Sequence, residues 1–477
     1  MNDHGKQHRN ITRRDFIKAS AAAAGAMAVV PAFAKNVSVM TGKTKPRPNF
    51  LFLNLDQLSC EAIRCHGCAA VKTPNLDRLA RQGISFTQSY SANPVCCPAR
   101  SAWFSGRYTP ETGVMNNGLP MAQDVPDLGQ WLRQNGYQTF HTGKWHIPKR
   151  EVGKSFTVLG PDPKNTASLG DIVTTRGVEG FLRNYDRSEP FFLAAGLLNP
   201  HDICSFVLQN MMYGAAMPYP ELADRFPPLS PNFDFDMTEP KAVVERRQKY
   251  MRAAGNEAGL GGWKEDFWRY YIWSYYQYIA MVDGQVGMIL DALQASRFAG
   301  DTLVILSADH GDGHARHKMV FKSFLYDEAA RTPFMISWPG RLLENIVDNA
   351  HLASGVDLVP TVCDFSGVPA PPDMRGYSLR PLAEGSTGPW RDFVVAHTGL
   401  DGRMIRTEQY KLIAYKGDPA VQLFDMKNDP WETKNLAEDL GRASLVKDHL
   451  KTLDDYEATF KVAALPKGRS LPSDNEE

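Results

Sequence analysis

Two adjacent cysteines stand out because their side chains are capable of several kinds of chemistry. Cys96 and Cys97 lie in the stretch SANPVCCPARSAWFSGRY, next to Pro98 and close to Arg100. A thiol pair can form a disulfide, bind a metal, act as a nucleophile or simply fill a core. The chain has seven cysteines, so a disulfide framework that pairs all of them within one chain is excluded. The role of the pair therefore depends on which reactive side chains the fold brings to it.

Three earlier cysteines have a spacing that suits a cofactor. Cys60, Cys65 and Cys68 follow the pattern C-x4-C-x2-C, with Cys96 downstream. This is the ligand spacing of plant-type iron–sulfur clusters, so an electron-transfer protein is one hypothesis. The residues that follow predict a helix instead of a loop wrapped around a cluster, which favours buried packing thiols.

Polar residues follow four apolar runs that are far apart in the sequence. The runs NFLFLNLDQ, YQTFHTGKW, PFFLAAGLLNPH and DTLVILSADHGD have the composition of buried parallel strands, and helical patterns occur between them. This alternation predicts an α/β fold with a mainly parallel sheet flanked by helices. The runs lead into Asp56, Lys144, His201 and Asp309. Because sites in such sheets lie beyond the carboxyl ends of the strands, we expect these four side chains to share one site.

The first 34 residues predict an export signal. The pair Arg13–Arg14 is followed by an Ala-rich apolar run that is too short for a membrane span, and then by small residues typical of a cleavage site. This order is typical of the twin-arginine signals of bacterial proteins. We therefore expect residues 1–34 to be a signal peptide, residues 35–47 a linker, and the protein to be periplasmic or secreted.

A change of composition near residue 386 predicts a smaller second unit. Residues 48–385 carry the alternating pattern of a catalytic domain, within which residues 205–268 form an aperiodic insertion near the site. Hairpin patterns and a closing helix in residues 386–465 predict a C-terminal subdomain with an antiparallel sheet. Residues 466–477 are expected to be a flexible tail. Basic and acidic residues are balanced at 53 each, so bulk charge gives no indication of a nucleic-acid partner.

The stretch CCPAR at residues 96–100 resembles the Cys-x-Pro-x-Arg signature of the type I, formylglycine-dependent sulfatases of the alkaline-phosphatase-like superfamily. Four further segments resemble that family in the same order: RPNFLFLNLDQ, TGKWH, NPH and SADHGDGHARHKMVFKSFLYDEAARTPFMISWPG. The resemblance extends over residues 48–436. Two positions depart from the usual pattern. Ser105 replaces a more common Thr, Ala or Arg, and Asp56-Gln57 replaces an Asp-Asp pair, as in the choline-sulfatase and phosphonate-monoesterase branches.

The resemblance implies a modified cysteine and a metal site. Cys96 takes the place of the cysteine that a maturation enzyme oxidises to formylglycine (3-oxoalanine). His317 falls on a recurring histidine and is expected to bind substrate. An oxygen-rich ligand set suits calcium, with magnesium or manganese as alternatives. The implied metal ligands are Asp56, Gln57, the modified Cys96, Asp309 and His310.

The chemistry that the resemblance implies gives the other residues their roles. One hydroxyl of the formylglycine hydrate attacks sulfur, and deprotonation of the other lets the adduct collapse to the aldehyde and expel sulfate. The sulfate oxygens would be held by Lys144, Lys322 and Arg100. His201 or Lys322 would protonate the leaving oxygen, and His146 would take the hydrate proton.

Each residue also has an ordinary structural interpretation. Asp56 can cap a turn, His310 and His317 can be hydrogen-bonded core or surface histidines, and Lys144 and Lys322 can be surface charges. What favours a site is their joint occurrence at predicted strand ends and in one ordered set of motifs.

The sequence thus predicts an exported enzyme that hydrolyses sulfate esters, with a sulfated carbohydrate or small molecule as substrate. Its other expected partners are the formylglycine maturation enzyme and the twin-arginine export machinery. A phosphonate or phosphodiester hydrolase of the same superfamily is the main alternative, because of Asp56-Gln57 and Asp309-His310. A third hypothesis is a non-catalytic binding protein on this fold, which requires Cys96 to stay unmodified. Iron–sulfur electron transfer is the remaining hypothesis, and it predicts a coloured protein.

Overall fold

The computed structural model describes residues 47–160, 167–213, 219–235, 237–251, 260–399 and 401–463. The predicted signal peptide, the linker up to residue 46 and the predicted tail lie outside these residues, as do parts of the predicted insertion.

Two kinds of sheet organise the chain. The strands are β1 (Asn49–Asp56), β2 (Gly83–Phe86), β3 (Ser89–Tyr90), β4 (Gln138–Gly143), β5 (Thr157–Val158), β6 (Phe191–Pro200), β7 (Thr302–Ala308), β8 (Phe334–Ser337), β9 (Ile346–Asp348), β10 (Ala353–Ser354), β11 (Phe393–His397), β12 (Gly402–Thr407), β13 (Tyr410–Tyr415) and β14 (Val421–Asp425). The helices are α1 (Pro74–Arg81), α2 (Cys96–Ser105), α3 (Thr109–Thr112), α4 (Leu128–Gln134), α5 (Val152–Ser155), α6 (Ala167–Asn184), α7 (Ile203–Tyr213), α8 (Lys241–Met251), α9 (Glu265–Gln294), α10 (Asp327–Ala330), α11 (Leu358–Ser366), α12 (Arg380–Ala383) and α13 (Ala443–Glu457).

The main sheet has eight strands in the order β5-β4-β6-β1-β7-β8-β2-β9. The five strands from β5 to β7 are parallel, whereas β8 is antiparallel to both of its neighbours. The four strands predicted to carry site residues, β4, β6, β1 and β7, are adjacent at the centre. The predicted mainly parallel α/β fold is confirmed.

Burial on both faces explains why the central strands are so apolar. All eight residues of β1 are buried. Its leucines face the core that contains α9, and Phe50 and Phe52 face the core that contains α2. A strand covered on both sides has no polar face, so the usual alternation disappears. The long helix α9 therefore covers one face of the sheet, and the short buried helix α2 covers the other.

The predicted C-terminal antiparallel sheet is also present. Strands β11 to β14 form a separate antiparallel sheet in sequence order. Its alternate residues, such as Ile405 and Leu412, share a core with Leu453 of α13. The closing helix therefore covers one face of this sheet, as the hairpin pattern predicted. Within the described ranges, none of the helices combines the length and the apolar character that a membrane crossing would need.

Candidate active site

The carboxyl edge of the main sheet holds a buried group of acidic, imidazole and thiol side chains. Asp56 ends β1, Asp309 and His310 follow β7, and Cys96 is the first residue of α2. One ligand atom from each residue lies within 4.8 Å of the others, and all four residues are fully buried. Among the residues that the structure describes, this is the one group of three or more such side chains that could hold a metal ion.

A glycine lets the chain reach this position. Gly311 follows His310, and its backbone N–H donates to the carbonyl oxygen of Ala329 at 2.8 Å. A Cβ atom at residue 311 would lie 1.9 Å from the carbonyl oxygen of Glu328. Only glycine allows so close an approach of two backbone segments. Gly311, in the sequence Asp309-His310-Gly311, is thus required for close backbone packing beside the candidate metal ligands.

The ring of His310 has the orientation that a metal ligand needs. Its Nδ1 lies 2.8 Å from the carbonyl oxygen of Gly311, which can only accept, so Nδ1 carries a proton. In the neutral imidazole, Nε2 presents a lone pair, 3.6 Å from Asp309 Oδ1 and 3.8 Å from Asp56 Oδ1. Acceptor atoms that face one another in this way suit a shared cation. The residues present therefore fit a divalent metal.

Arg100 lies against this group and has no surface that a sulfate could reach. Its side chain is fully buried, with Nε donating to Asp309 Oδ2 at 2.9 Å and Nη2 donating to Asp56 Oδ2 at 3.1 Å. Its Nη1 donates to Asn54 Oδ1 and to the carbonyl oxygen of Lys144, each at 2.9 Å. The expected direct contact of Arg100 with sulfate oxygens does not fit this geometry, because the side chain has no exposed surface and four of its five N–H donors are bonded to the protein. The geometry is that of a residue that orients and neutralises the two carboxylates.

Two lysines bring positive charge to the group. Lys144, which follows β4, places Nζ 2.7 Å from Asp56 Oδ2. Lys322 donates from Nζ to Gln57 Oε1 at 3.1 Å. Burial lowers the pKa of Lys144, but the negative charge of Asp56 outweighs this effect and raises it, so the ammonium stays charged. Buried cations at this edge supply the complementary charge that an anionic ester requires.

Gln57 connects the carboxylates to Lys322. Its backbone N–H donates to Asp309 Oδ1 at 3.0 Å, in a left-handed conformation with φ 69°. Its amide oxygen accepts from Lys322 and from Cys204 Sγ at 3.2 Å, and its Nε2 donates to Asp312 Oδ2 at 2.6 Å. The amide oxygen thus faces other partners here, and its assignment as a metal ligand stays a prediction.

The position of Cys96 favours negative charge on its side chain. It starts a ten-residue helix, whose N-terminus carries partial positive charge, and its Sγ lies 3.2 Å from His310 Nε2. Burial and the negative charge of Asp56 raise the pKa of this thiol, but neighbouring basic groups outweigh both effects and hold the pKa well below its usual value. Those groups are Lys144, Lys322 and His310. Burial instead raises the pKa of the adjacent Cys97 to about 12, and Cys97 packs in the core that contains Trp103. The two neighbouring thiols therefore have different environments.

His201 lies beside the nucleophile position, directly after β6. Burial and the two lysines lower the pKa of this imidazole, whereas Asp56 and a hydrogen bond with Cys96 raise it, and the net direction is upward. His201 as a whole is half-buried. A basic imidazole beside Cys96 is suited to exchange a proton with a bound ester.

His146 is less closely tied to the group. It follows Lys144 by two residues in a left-handed conformation with φ 53°. Its Nδ1 is buried without a hydrogen-bond partner in the described ranges. Its expected role in proton removal stays a prediction.

His317 occupies a structural position and not the expected substrate-contacting one. It is fully buried, with Nδ1 2.9 Å from Glu328 Oε1 and Nε2 3.1 Å from the carbonyl oxygen of Glu432. Its ring stacks on Tyr326 with 4.1 Å between centroids. Both nitrogens face acceptors, so the imidazolium form satisfies both contacts. The expected substrate contact does not fit, because neither nitrogen is available to a ligand.

Replacing His317 by glutamine is expected to lower the free energy of unfolding by about 1–3 kcal/mol, since Glu328 and Glu432 lose a buried partner. Burial lowers the pKa of His317, but Glu328 and Glu432 outweigh burial and raise it. The stabilisation should therefore be complete below the unfolded-state pKa of about 6.5, and disappear as the pH rises through the folded-state pKa. Urea unfolding of both proteins across this pH range measures the effect.

The matched control for this prediction is His351→Gln. His351 pairs with Asp348 at 2.7 Å, but its side chain is 35% exposed, so the loss should stay below about 1 kcal/mol. A rise in KM for His317→Gln without a loss of stability would instead support substrate binding by His317.

Sequence reasoning missed residues that support the predicted ones. Asn54, two residues before Asp56, accepts from Arg100 and donates to the carbonyl oxygen of Ala195 at 3.1 Å. Asp312 accepts from the amide of Gln57 and from the hydroxyl of Tyr271. The sequence did offer a signal for each: Asn54 is a polar residue inside an apolar strand, and Asp312 directly follows Asp309-His310-Gly311.

Two further supports come from more distant segments. Asp171 on α6 accepts from the backbone N–H groups of Leu198 at 2.6 Å and Asn199 at 3.0 Å, which anchors the chain just before His201. Asn117 Oδ1 accepts from the backbone N–H of Cys97 at 3.0 Å, at the first turn of α2. Neither residue has a local sequence pattern that marks it.

The three cysteines with iron–sulfur spacing do not form a ligand group. Cys60 contacts His66 Nδ1 and the carbonyl oxygen of Thr87, each at 3.5 Å. Burial raises the pKa of Cys60 and of Cys65 to about 12, which disfavours the thiolates that a cluster needs. All seven cysteines are free thiols in the structure. This arrangement gives no support to the electron-transfer hypothesis.

Strand-end carboxylates, a fitted metal-binding imidazole and buried lysines together define a site suited to the hydrolysis of anionic esters. The family model for sulfatases matches residues 48–368, more than half of the chain. A second model, for the C-terminal region of N-sulphoglucosamine sulphohydrolase, matches residues 315–459. The chain belongs to the sulfatase family, and it is a sulfuric ester hydrolase. The twin-arginine signal model matches residues 10–30, so the protein is exported to the periplasm or secreted.

Several relatives resemble the chain over most of its length. The Delta 4,5-hexuronate-2-O-sulfatase of Bacteroides thetaiotaomicron is 31% identical over 442 residues, which cover 87% of this chain and 89% of the relative. A solved 2-O GAG sulfatase is 30% identical with a TM-score of 0.75, covering 88% of this chain and 96% of that one. The phosphonate monoester hydrolase of Agrobacterium radiobacter shares the fold, with a TM-score of 0.72 over 86% of this chain and 96% of that one, at 22% identity.

Proposed function

We propose that this exported sulfatase removes sulfate esters from a carbohydrate by means of a formylglycine made from Cys96 and a bound calcium ion. The observation that carries the proposal is the position of Cys96. It is the first residue of a buried helix, and its Sγ lies within 4.8 Å of ligand atoms from two carboxylates and an imidazole. A cysteine that only filled space in the core would not need carboxylate and imidazole groups around its thiol.

The proposed metal ion would be held by side chains that already lie close together. Asp56, Asp309 and His310 would ligate the metal together with the modified residue 96, and Gln57 is the further candidate. When bound, a divalent cation lowers the pKa of a ligated hydroxyl, and a formylglycine hydrate supplies a hydroxyl nucleophile that a thiol lacks. Hard oxygen ligands favour calcium, and the imidazole of His310 also suits manganese.

The cationic residues would bind the sulfate group. Lys144 contacts Asp56 and Lys322 contacts Gln57, and the two lysines are 7% and 5% exposed, whereas Arg100 has no exposed surface. Their ammonium groups would hold the sulfate oxygens and offset the charge that develops on them. Arg100 would act on the carboxylates and not on the substrate, because its donors are already bonded to Asp56 and Asp309.

Proton transfer to the leaving oxygen would come from His201 or Lys322. His201 is the stronger candidate on geometry, since it is half-buried next to Cys96 and its raised pKa favours the protonated, donating form. His146 remains the proposed acceptor of the second proton. The two steps would then use separate histidines at the ends of different strands.

The proposed substrate class is a sulfated sugar, with a 2-O-sulfated hexuronate as the first compound to test. Support comes from the relative that is named for this specificity and covers 87% of the chain at 31% identity. The proposed partners are this sugar, a formylglycine maturation enzyme and the twin-arginine export machinery. A phosphonate or phosphodiester substrate is the competing proposal, because the Asp56-Gln57 variant also occurs in that branch.

Mass measurement and substrate comparison test the proposal. Protein made together with a maturation system should show a loss of about 18 Da on the peptide that contains Cys96, because sulfur and hydrogen are replaced by an aldehyde oxygen. Chelation should abolish hydrolysis, and added Ca²⁺ should restore more activity than Mg²⁺ or Mn²⁺. Sulfate and phenylphosphonate esters of 4-nitrophenol, compared with one protein sample, decide the substrate class. A strong preference for the phosphonate, or an unmodified Cys96 in active protein, would refute the proposal.

A further inference from the structure

The segment that carries Lys322 has an unusual backbone conformation. Phe321 and Ser323 on either side of Lys322 are left-handed, with φ 64° and 77°. Non-glycine residues adopt this region at an energetic cost, and they do so where surrounding contacts determine the conformation. The direction of the Lys322 side chain therefore depends on the contacts that fix the backbone of residues 321–323.

Three hydrogen bonds hold the three residues, one from the preceding loop and two that involve distant segments. Gly313 donates its N–H to the carbonyl oxygen of Phe321 at 2.6 Å, and Ser323 donates to the carbonyl oxygen of Pro94 at 3.0 Å. The carbonyl oxygen of Lys322 itself accepts from Arg246 Nε at 3.0 Å. The first two bonds tie the segment to the metal-binding and nucleophile segments, whereas the third comes from α8.

Arg246 is built into this contact. It is 7% exposed, and its Nη2 lies 3.3 Å from the hydroxyl of Tyr250, one turn further along α8. The ring of Tyr250 packs edge-on against Phe321, with 5.0 Å between centroids. Helix α8, which lies within the predicted insertion, therefore contacts the carbonyl oxygen of Lys322 and the side chain of Phe321.

We propose that Arg246 is a positioning residue that sets the direction of Lys322 towards Gln57 and the sulfate. The proposal rests on the proposed function, in which Lys322 contacts the sulfate ester. It also gives the insertion a purpose, since α8 would support a sulfate-binding lysine that the strand ends alone do not fix. Arg246 would act through Lys322 and would not touch the substrate.

A double-mutant cycle on the metal-loaded, matured enzyme tests this coupling. Arg246→Gln alone should lower kcat/KM for 4-nitrophenyl sulfate by about tenfold or more, because a small displacement of a binding group is costly. In the background of Lys322→Ala, the same change should lower kcat/KM by less than about twofold, since the residue through which it acts is gone. Equal losses in both backgrounds would overturn the proposal, because a general structural defect has that signature.

Arg247→Gln is the matched control. Arg247 is on the same helix, but it pairs with Glu239 and lies over the ring of Phe235 at 4.6 Å, so its kcat/KM should stay within about twofold of the parent. If Arg246→Gln does not fold, Arg246→Lys keeps the charge but not the fixed Nε donor, and the same cycle applies to it. If Lys322→Ala alone leaves kcat/KM unchanged, the proposed role of Lys322 fails instead.

Discussion

Alanine at Cys96 is expected to lower kcat by about 10⁴-fold or more, because removal of a nucleophile leaves only binding and electrostatic contributions to catalysis. Cys96 is the one thiol whose Sγ lies among Asp56, Asp309 and His310 in the described part of the chain. The fold should survive, since all ten residues of α2 are buried and the other nine keep their packing. Hydrolysis of 4-nitrophenyl sulfate by matured protein measures the loss, and circular dichroism checks the fold.

Cys97→Ala is the control for this prediction, because it removes a thiol from the adjacent residue. The Cys97 side chain packs with Trp103 and Phe104 in the core, so the change should cost about 1 kcal/mol of stability. Its kcat should remain near that of the parent enzyme. The reverse result, with Cys97→Ala inactive and Cys96→Ala active, would exchange the roles assigned to the two cysteines.

Methionine at Arg100 should destabilise the protein by about 3–5 kcal/mol, because it leaves buried carboxylates without their partner. Asp56 and Asp309 each lose an ion pair in which both side chains have no exposure. Metal affinity or kcat/KM should fall by about 10- to 100-fold, as expected when a group that orients metal ligands is removed. Urea unfolding and metal titration of the variant measure the two effects separately.

Arg391→Met separates stability from activity. Arg391 forms another buried pair, 2.7 Å from Asp357 Oδ1, with side-chain exposures of 5% and 0%. We expect a comparable loss of stability with an unchanged kcat, because Asp357 caps backbone N–H groups outside the metal-binding group. If Arg100→Met kept full activity and metal affinity, the role of Arg100 as an organiser of the carboxylates would be refuted.

Much of the fold could be predicted because burial leaves a direct trace in the sequence. Strands β1, β4, β6 and β7 were predicted from their continuous apolar composition, which a strand needs when both of its faces are covered. Asp56, Lys144, His201 and Asp309 could be assigned to one edge because parallel strands end on the same side. Hairpin patterns likewise predicted the antiparallel C-terminal sheet and its closing helix.

The candidate reactive residues were thus predicted from the sequence itself, and the motif order led to the sulfatase family. Their individual geometry was decided only by the tertiary structure. Arg100 and His317 stand in motifs that suggested substrate contact, yet their donors are engaged by Asp56, Asp309, Glu328 and Glu432. Those partners lie 11 to 209 positions away along the chain.

Residue type and local spacing fix which groups the backbone delivers to the edge of the sheet. Whether a buried cation faces a ligand or a carboxylate depends on the desolvation of its whole surroundings, since an unpaired buried charge is too costly to persist. That pairing is settled by segments such as α8 and the loop that carries Glu432, whose contacts leave no pattern in the sequence near Lys322 or His317. The tertiary fold alone therefore separates the residues proposed to bind a sulfate ester from those whose donors are already bonded to buried acceptors.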